Sequence, residues 1–204
     1  MKKQDLFICI EGLDASGKTT QSHRLVANLR RKGFDAVYTT EPSSGEIGSF
    51  IKSTILQRRK RVPAVVESLL FAADRVDHVE HKIKPALQKG RIVVSDRYLF
   101  SSLAYQGAAG LDLKWIEEIN RWALKPDLSI YLNVSLEVVM KRMKQKRSVM
   151  ERLETQKKVL QTYLQLVQAG RLFPVDGNRP ANIVSRDILR MVVDMLEGSE
   201  FLEV

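Results

Sequence analysis

The sequence predicts a three-layer α/β fold, with a mostly parallel five-stranded sheet flanked by helices, and three observations predict it. Continuous apolar runs of strand length alternate along the chain with longer amphipathic stretches. Glycine and proline punctuate the boundaries, as at Lys32-Gly33, Lys89-Gly90 and Pro126-Asp127. Parallel neighbours in a sheet need crossover helices, so alternating strands and helices imply a sheet covered on both faces.

Leu6 to Ile10 is the first apolar run, followed by a glycine-containing turn and an amphipathic segment from Lys18 to Arg31. Ala36 to Thr39 reads as a second strand, and Ile47 to Leu56 as helical. Pro63 suits the first turn of a long helical region reaching about Gln88, ahead of a strand over Arg91 to Ser95. The pattern then predicts helices over Leu113 to Leu124, Leu136 to Met143 and Leu153 to Ala169. Leu128 to Leu132 is a strand, Arg171 to Val175 the last strand, and Ile183 to Leu196 the last helix.

With 204 residues, no repeat and no low-complexity tract, the chain suits one domain spanning 1 to 204. The start, MKKQDLFICIEG, has only a short apolar run broken by Glu11, which argues against a leader or a spanning helix and for a cytoplasmic protein. The single cysteine, Cys9, lies within that run and reads as a buried small hydrophobe. A formal charge of +9 attracts phosphates of any kind, whether on nucleotides, nucleic acid or lipid. The densest basic runs are Arg58 to Arg61 and Lys141 to Arg147, for which a solvated surface is the ordinary explanation.

Residues 12 to 19 read GLDASGKT, a complete G-x-x-x-x-G-K-[ST] phosphate-binding loop placed after a strand and before a helix. Gly12 and Gly17 permit the curvature that turns backbone N–H groups toward phosphate oxygens. Lys18 can bridge the β- and γ-phosphates, and the Thr19 hydroxyl can reach magnesium. Asp96 follows the strand Ile92-Val93-Val94 and emerges at the same carboxyl edge, where it can hold magnesium through water; Arg97 beside it can reach a transferring phosphate. The alternative for Asp96 and Arg97 is a structural ion pair at a strand end.

IEGLDASGKTTQ, Thr40-Glu41-Pro42, Phe71-x-x-x-Arg75, SDRYLFSSLAYQG at 95 to 107 and KPDLSIYLNV at 125 to 134 together resemble the thymidylate kinase family over nearly the whole chain. The first motif is common to many kinases, whereas Asp-Arg-Tyr followed by Ala-Tyr-Gln-Gly is much more restrictive. The resemblance implies a P-loop kinase that phosphorylates dTMP to dTDP with ATP and magnesium, in dTTP synthesis, and that forms a homodimer through the long helices of the first half.

The resemblance also implies roles at matching positions. Gly12, Leu13, Asp14, Ala15, Ser16, Gly17, Lys18, Thr19 and Thr20 hold the phosphates of ATP, with Arg142 on its adenine and Thr19 and Asp96 as magnesium ligands. The acceptor falls to Asp14 at its sugar, Arg97 at its phosphate, Phe71 stacking on thymine, Arg75 on a base oxygen, Ser102 at the base and Tyr105 crowding the 2′ position. Glu41, Pro42 and Gln106 complete that site. Phe71 and Arg75 share a helix face at i,i+4 spacing, although Phe71 read alone suits a core position, and Tyr105 suits packing. The family places its catalytic cations either inside the loop or in a lid. Asp14-Ala15-Ser16 carries none, so the lid, about 142–152, supplies them: Arg152 first, then Arg147, with Lys146 and Arg142 also available. No arginine accompanies Glu41-Pro42, since Thr40 precedes and Ser43 follows, and the lid is several residues shorter than in common bacterial members of the family.

Three other readings compete, one of them a non-catalytic dimerising homologue, against which the intact Lys18, Asp96 and Arg97 argue. Another nucleotide or deoxynucleoside kinase would use the same loop and Asp-Arg pair, and only Phe71, Arg75, Ser102 and Tyr105 favour thymine. A nucleic-acid-stimulated ATPase would use Arg58 to Arg61, but no aromatic-rich stretch accompanies that run.

Overall fold

The computed structural model describes residues 5–57, 62–143 and 153–198. Five strands, β1 (Phe7–Glu11), β2 (Ala36–Thr40), β3 (Ile92–Asp96), β4 (Leu128–Asn133) and β5 (Phe173–Asp176), form one sheet in the order β2-β3-β1-β4-β5. Every pairing is parallel. β1 lies at the centre and is buried throughout, which is why its sequence is a continuous apolar run rather than an alternation.

Side chains of a strand alternate between faces, and β1 divides the core accordingly. Ile8 and Ile10 join Leu25 and Leu29 of α1 (Lys18–Arg31) and Ile188 and Val192 of α9 (Ala181–Glu197) on one face. Phe7 and Cys9 join Leu103 of α5 (Leu99–Ala108) and Val159 and Tyr163 of α8 (Leu153–Gln168) on the other. Cys9 is buried there, its Sγ 3.2 Å from Ser129 Oγ. Two helical layers thus cover the sheet. Among the described residues no helix is long and apolar enough to cross a membrane.

Four local features depart from the sequence expectation. The segment after Arg97, assigned no element above, is α5; it is apolar on most sides and its N-cap, Tyr98, has no capping side-chain bond, so neither periodicity nor a cap marks it. The helix expected over Leu113 to Leu124 is α6 (Leu113–Ile119) alone, because the Asn120 side chain donates back to the Ile116 carbonyl at 2.8 Å and the chain leaves in turns. The long helix after Pro63 is continuous but widens: α3 (Ala64–His78) runs through a π turn (Val79–Ile83) into α4 (Lys84–Gln88). Pro85, the second residue of α4, has no N–H for a bond to the carbonyl four residues back. The second helical region likewise divides into α2 (Glu46–Phe50) and a π turn (Ile51–Ile55).

Register places the site. Ile10 lies beside Asp96, and Thr40 lies beside Asp96 from the other side. The ends of β1, β2 and β3 therefore deliver the loop after Glu11, the Asp96-Arg97 pair and Glu41-Pro42 to one carboxyl edge. α7 (Leu136–Arg142) brings Arg142 to the same edge; the connection from 144 to 152 lies outside the described residues, as does 58–61.

Candidate active site

The phosphate loop has the backbone that its glycines permit. Gly17, at φ +102, is the N-cap of α1, and Gly12, at φ +148, leaves no room for a side chain: a Cβ there would sit 2.9 Å from Ser16 Oγ and 3.1 Å from the Leu132 carbonyl oxygen. Ala15, at φ +58, takes a left-handed conformation that costs a non-glycine residue about 1–3 kcal/mol and concentrates at functional sites. Leu13 packs its side chain in the core and offers the site only its backbone, its carbonyl accepting from Lys18 Nζ at 2.5 Å. Lys18 is buried, and burial first, then the nearby Arg97 charge, pushes its ammonium down to about 7. An unscreened lysine of this kind gains most from an incoming anion.

Thr19 Oγ1 donates to Asp96 Oδ2 at 2.5 Å, so the two residues expected to hold magnesium are side by side. Both offer hard oxygen donors beside a phosphate loop. Among the described residues no cluster of three His, Cys, Asp or Glu side chains could hold a metal by itself. A hydroxyl and one carboxylate suit magnesium, which keeps several waters and takes phosphate oxygens as ligands.

Two cavities open at this edge. One, of about 520 Å³, is lined by Ala15, Ser16, Gly17, Lys18, Thr19 and Thr20 of the loop, by Asp96 and Arg97, and by Arg142 with Gly177 and Arg179 across from it. Arg142 Nη1 donates to the Ser16 carbonyl at 3.3 Å. The other, of about 300 Å³, is lined by every residue expected at the acceptor: Asp14, Glu41, Pro42, Phe71, Arg75, Arg97, Ser102, Tyr105 and Gln106. Phe71 is half-buried in that wall, outside both core clusters. Arg97 lines both cavities.

Arg97 is held in place at a cost. Its φ of +73 is unfavourable for a residue with a Cβ. Its N–H donates to the Ile10 carbonyl at 3.1 Å and its carbonyl accepts from Ser95 Oγ at 2.7 Å. The guanidinium donates to Asp14 and, at 3.1 Å, to Ser101 Oγ, and lies 5.1 Å from the Tyr105 ring centroid. Burial pushes the Asp14 carboxyl up, but Arg97 and Lys18 outweigh it and hold that carboxyl below its ordinary range. Asp14 is therefore an anion at neutral pH.

Sequence reading missed the supports of these residues. Glu11 is fully buried and accepts from the Tyr98 and Ser101 backbone N–H groups and the Ser101 and Tyr163 hydroxyls, tying the N-terminus of α5 to α8 beside Arg97. Burial raises its carboxyl despite those donors. Arg75, 1% exposed, donates to Glu41, Ser102 and Asn120. Asn120, His78 and Arg179 carry no motif; only a buried arginine's need for acceptors could have pointed to Asn120. Of the expected lid cations, Lys146, Arg147 and Arg152 lie outside the described residues.

A parallel sheet with a phosphate loop at its carboxyl edge, joined to a second cavity through a shared arginine, defines a P-loop phosphotransferase. The sequence profile described as thymidylate kinase matches residues 10–188, and the chain belongs to the thymidylate kinase family. It is similar to proteins named "Probable thymidylate kinase" from three archaea. The Pyrococcus horikoshii protein is 41% identical over 203 residues, covering 94% of this chain and 98% of that protein. The Thermococcus onnurineus protein is 43% identical over 173 residues, covering 80% and 84%. The Methanocaldococcus jannaschii protein is 44% identical over 175 residues, covering 86% and 88%.

Proposed function

We propose that this protein transfers the terminal phosphoryl group of ATP to the phosphate of dTMP, releasing ADP and dTDP. The observation that carries this reading is the placement of Arg97 in the walls of both cavities, where a phosphoryl group passing between two bound nucleotides would meet it. An acceptor phosphate oxygen forms the new bond to the γ-phosphorus as the bond to the β-γ bridging oxygen breaks, and that oxygen leaves with ADP. Lys18 and the loop N–H groups neutralise the donor phosphates, and Arg97 orients the acceptor phosphate toward them. Magnesium, held by Thr19 and Asp96, would neutralise the charge on the β- and γ-oxygens. Arg147 and Arg152 would add the lid cations that Asp14-Ala15-Ser16 does not provide, and Arg142 with Arg179 would border the adenine.

The smaller cavity suits a pyrimidine nucleotide. Phe71 presents a ring face, Tyr105 crowds the sugar, and Asp14 accepts a sugar hydroxyl. Arg75 has five N–H donors, four of which are taken by Glu41, Ser102 and Asn120, leaving one on Nη1 for a base oxygen. Thymine offers an oxygen where cytosine offers an amino group, so thymine satisfies that donor and cytosine does not. Exposed Val65, Val66 and Leu69 of α3, with Phe50 of α2, each at least 44% accessible, support a homodimer through this helical face. Coupled ADP-release assays across nucleoside monophosphates test the reading: thymidylate is the preferred acceptor, and faster phosphorylation of adenylate or cytidylate would remove it.

A further inference from the structure

We propose that His78 is a positioning residue for acceptor choice, holding Glu41 and through it fixing Arg75; this rests on the reading of Arg75 as the base ligand. His78 is buried at the end of α3 and lines neither cavity, so it does not act on a nucleotide directly. Its imidazole bridges two groups of one short segment. Nδ1 is 3.2 Å from Glu41 Oε1, and Nε2 is 2.6 Å from Thr39 Oγ1. An ionised carboxylate only accepts, so Nδ1 carries the proton toward Glu41, and Nε2 shares a hydrogen bond with the Thr39 hydroxyl.

The two oxygens of Glu41 thereby have separate tasks. Oε2 accepts from Arg75 Nε at 2.9 Å and Nη2 at 2.7 Å, while Oε1 is reserved for His78. Without the Nδ1 donor the carboxylate is free to rotate about its last bond, and Arg75 keeps only Ser102 and Asn120 as fixed partners. The one N–H left for a base then loses its direction. An acceptor contact depends on such orientation, whereas the donor phosphates, held by the loop, do not.

Amide side chains separate the two links, because asparagine places an N–H where Nδ1 lies and glutamine places one where Nε2 lies. Steady-state kinetics of the full chain are measured for His78→Gln and His78→Asn, varying thymidylate, cytidylate and ATP in turn. His78→Gln raises the thymidylate KM about tenfold, keeps the ATP KM and saturating turnover within about twofold, and narrows the thymidylate-to-cytidylate ratio of kcat/KM. His78→Asn, which loses only the Nε2 link, raises the thymidylate KM about threefold. Equal KM changes in both variants, or an unchanged thymidylate KM in His78→Gln, overturns the proposal. If His78→Gln does not fold, Thr39→Val, which removes only the partner of Nε2, takes its place. A thymidylate KM raised about threefold supports the relay and an unchanged one overturns it. A wild-type enzyme that prefers cytidylate defeats the reading of Arg75 itself; thymidylate preference with an indifferent His78 defeats this inference alone.

Discussion

Nε and Nη2 of Arg75 both donate to one oxygen of Glu41, at 2.9 and 2.7 Å, with both side chains almost wholly buried. Removing one partner of such a pair leaves an uncompensated charge inside the protein. Glu41→Ala is expected to cost about 3–5 kcal/mol of stability, and Glu41→Gln, which keeps an acceptor oxygen, less. Urea denaturation of the two variants checks the order; equal stability of Glu41→Ala and the parent would show that Arg75 finds other acceptors.

Lys18 and Arg97 are expected to matter to turnover more than to stability. Lys18→Ala and Arg97→Ala each lower kcat by a factor on the order of a hundred or more, since each removes charge from the phosphates in the transition state. Turnover at saturating ATP and acceptor decides this, and a near-normal rate in either variant takes that residue out of the mechanism.

The depressed lysine has a second consequence. With its ammonium pushed down to about 7, Lys18 is largely neutral in the ligand-free protein above that pH, and bound polyphosphate restores its charge. Binding of Mg-ATP at about pH 8.5 should therefore take up a proton, and at about pH 6 should take up almost none. For stability the sign is that of a lysine lowered in the folded state: its burial cost is full below about 7 and is relieved as pH rises toward the ordinary lysine range. Calorimetry in two buffers of different ionisation enthalpy measures the uptake, and a buffer-independent heat at the higher pH would contradict it.

Gly48 packs against the backbone of Ser43, the residue after Pro42 of the acceptor cavity. A Cβ at Gly48 would come within 2.3 Å of the Ser43 carbonyl oxygen and 2.5 Å of its nitrogen, and Ser43 is held in place because Asp74 accepts from its backbone N–H at 2.7 Å and from its hydroxyl at 2.6 Å. Gly48→Ala should lose about 1–3 kcal/mol and displace the Pro42 wall, raising the acceptor KM while sparing that for ATP. Denaturation and KM measured together distinguish this from a neutral surface change.

What the sequence determined by itself is whatever depends on near neighbours. Apolar runs and their intervening helical periods specified a parallel sheet, since burial on both faces is written into the three inner strands β1, β3 and β4 separately. The phosphate loop was legible for the same reason: Gly12, Gly17, Lys18 and Thr19 act through backbone curvature and a helix start within one stretch of chain. Helix α5 and the early end of α6 were not legible, because neither a cap nor a change of period announces them. The tertiary structure decided the partners of the functional side chains. Arg75 is served by Glu41, Ser102 and Asn120, residues far apart in sequence that meet only because β2 and β3 adjoin and α3 packs against α5 and α6. A buried arginine must find acceptors, but which ones it finds is set by the order of the strands and the packing of the helices, and no local pattern of residues encodes that.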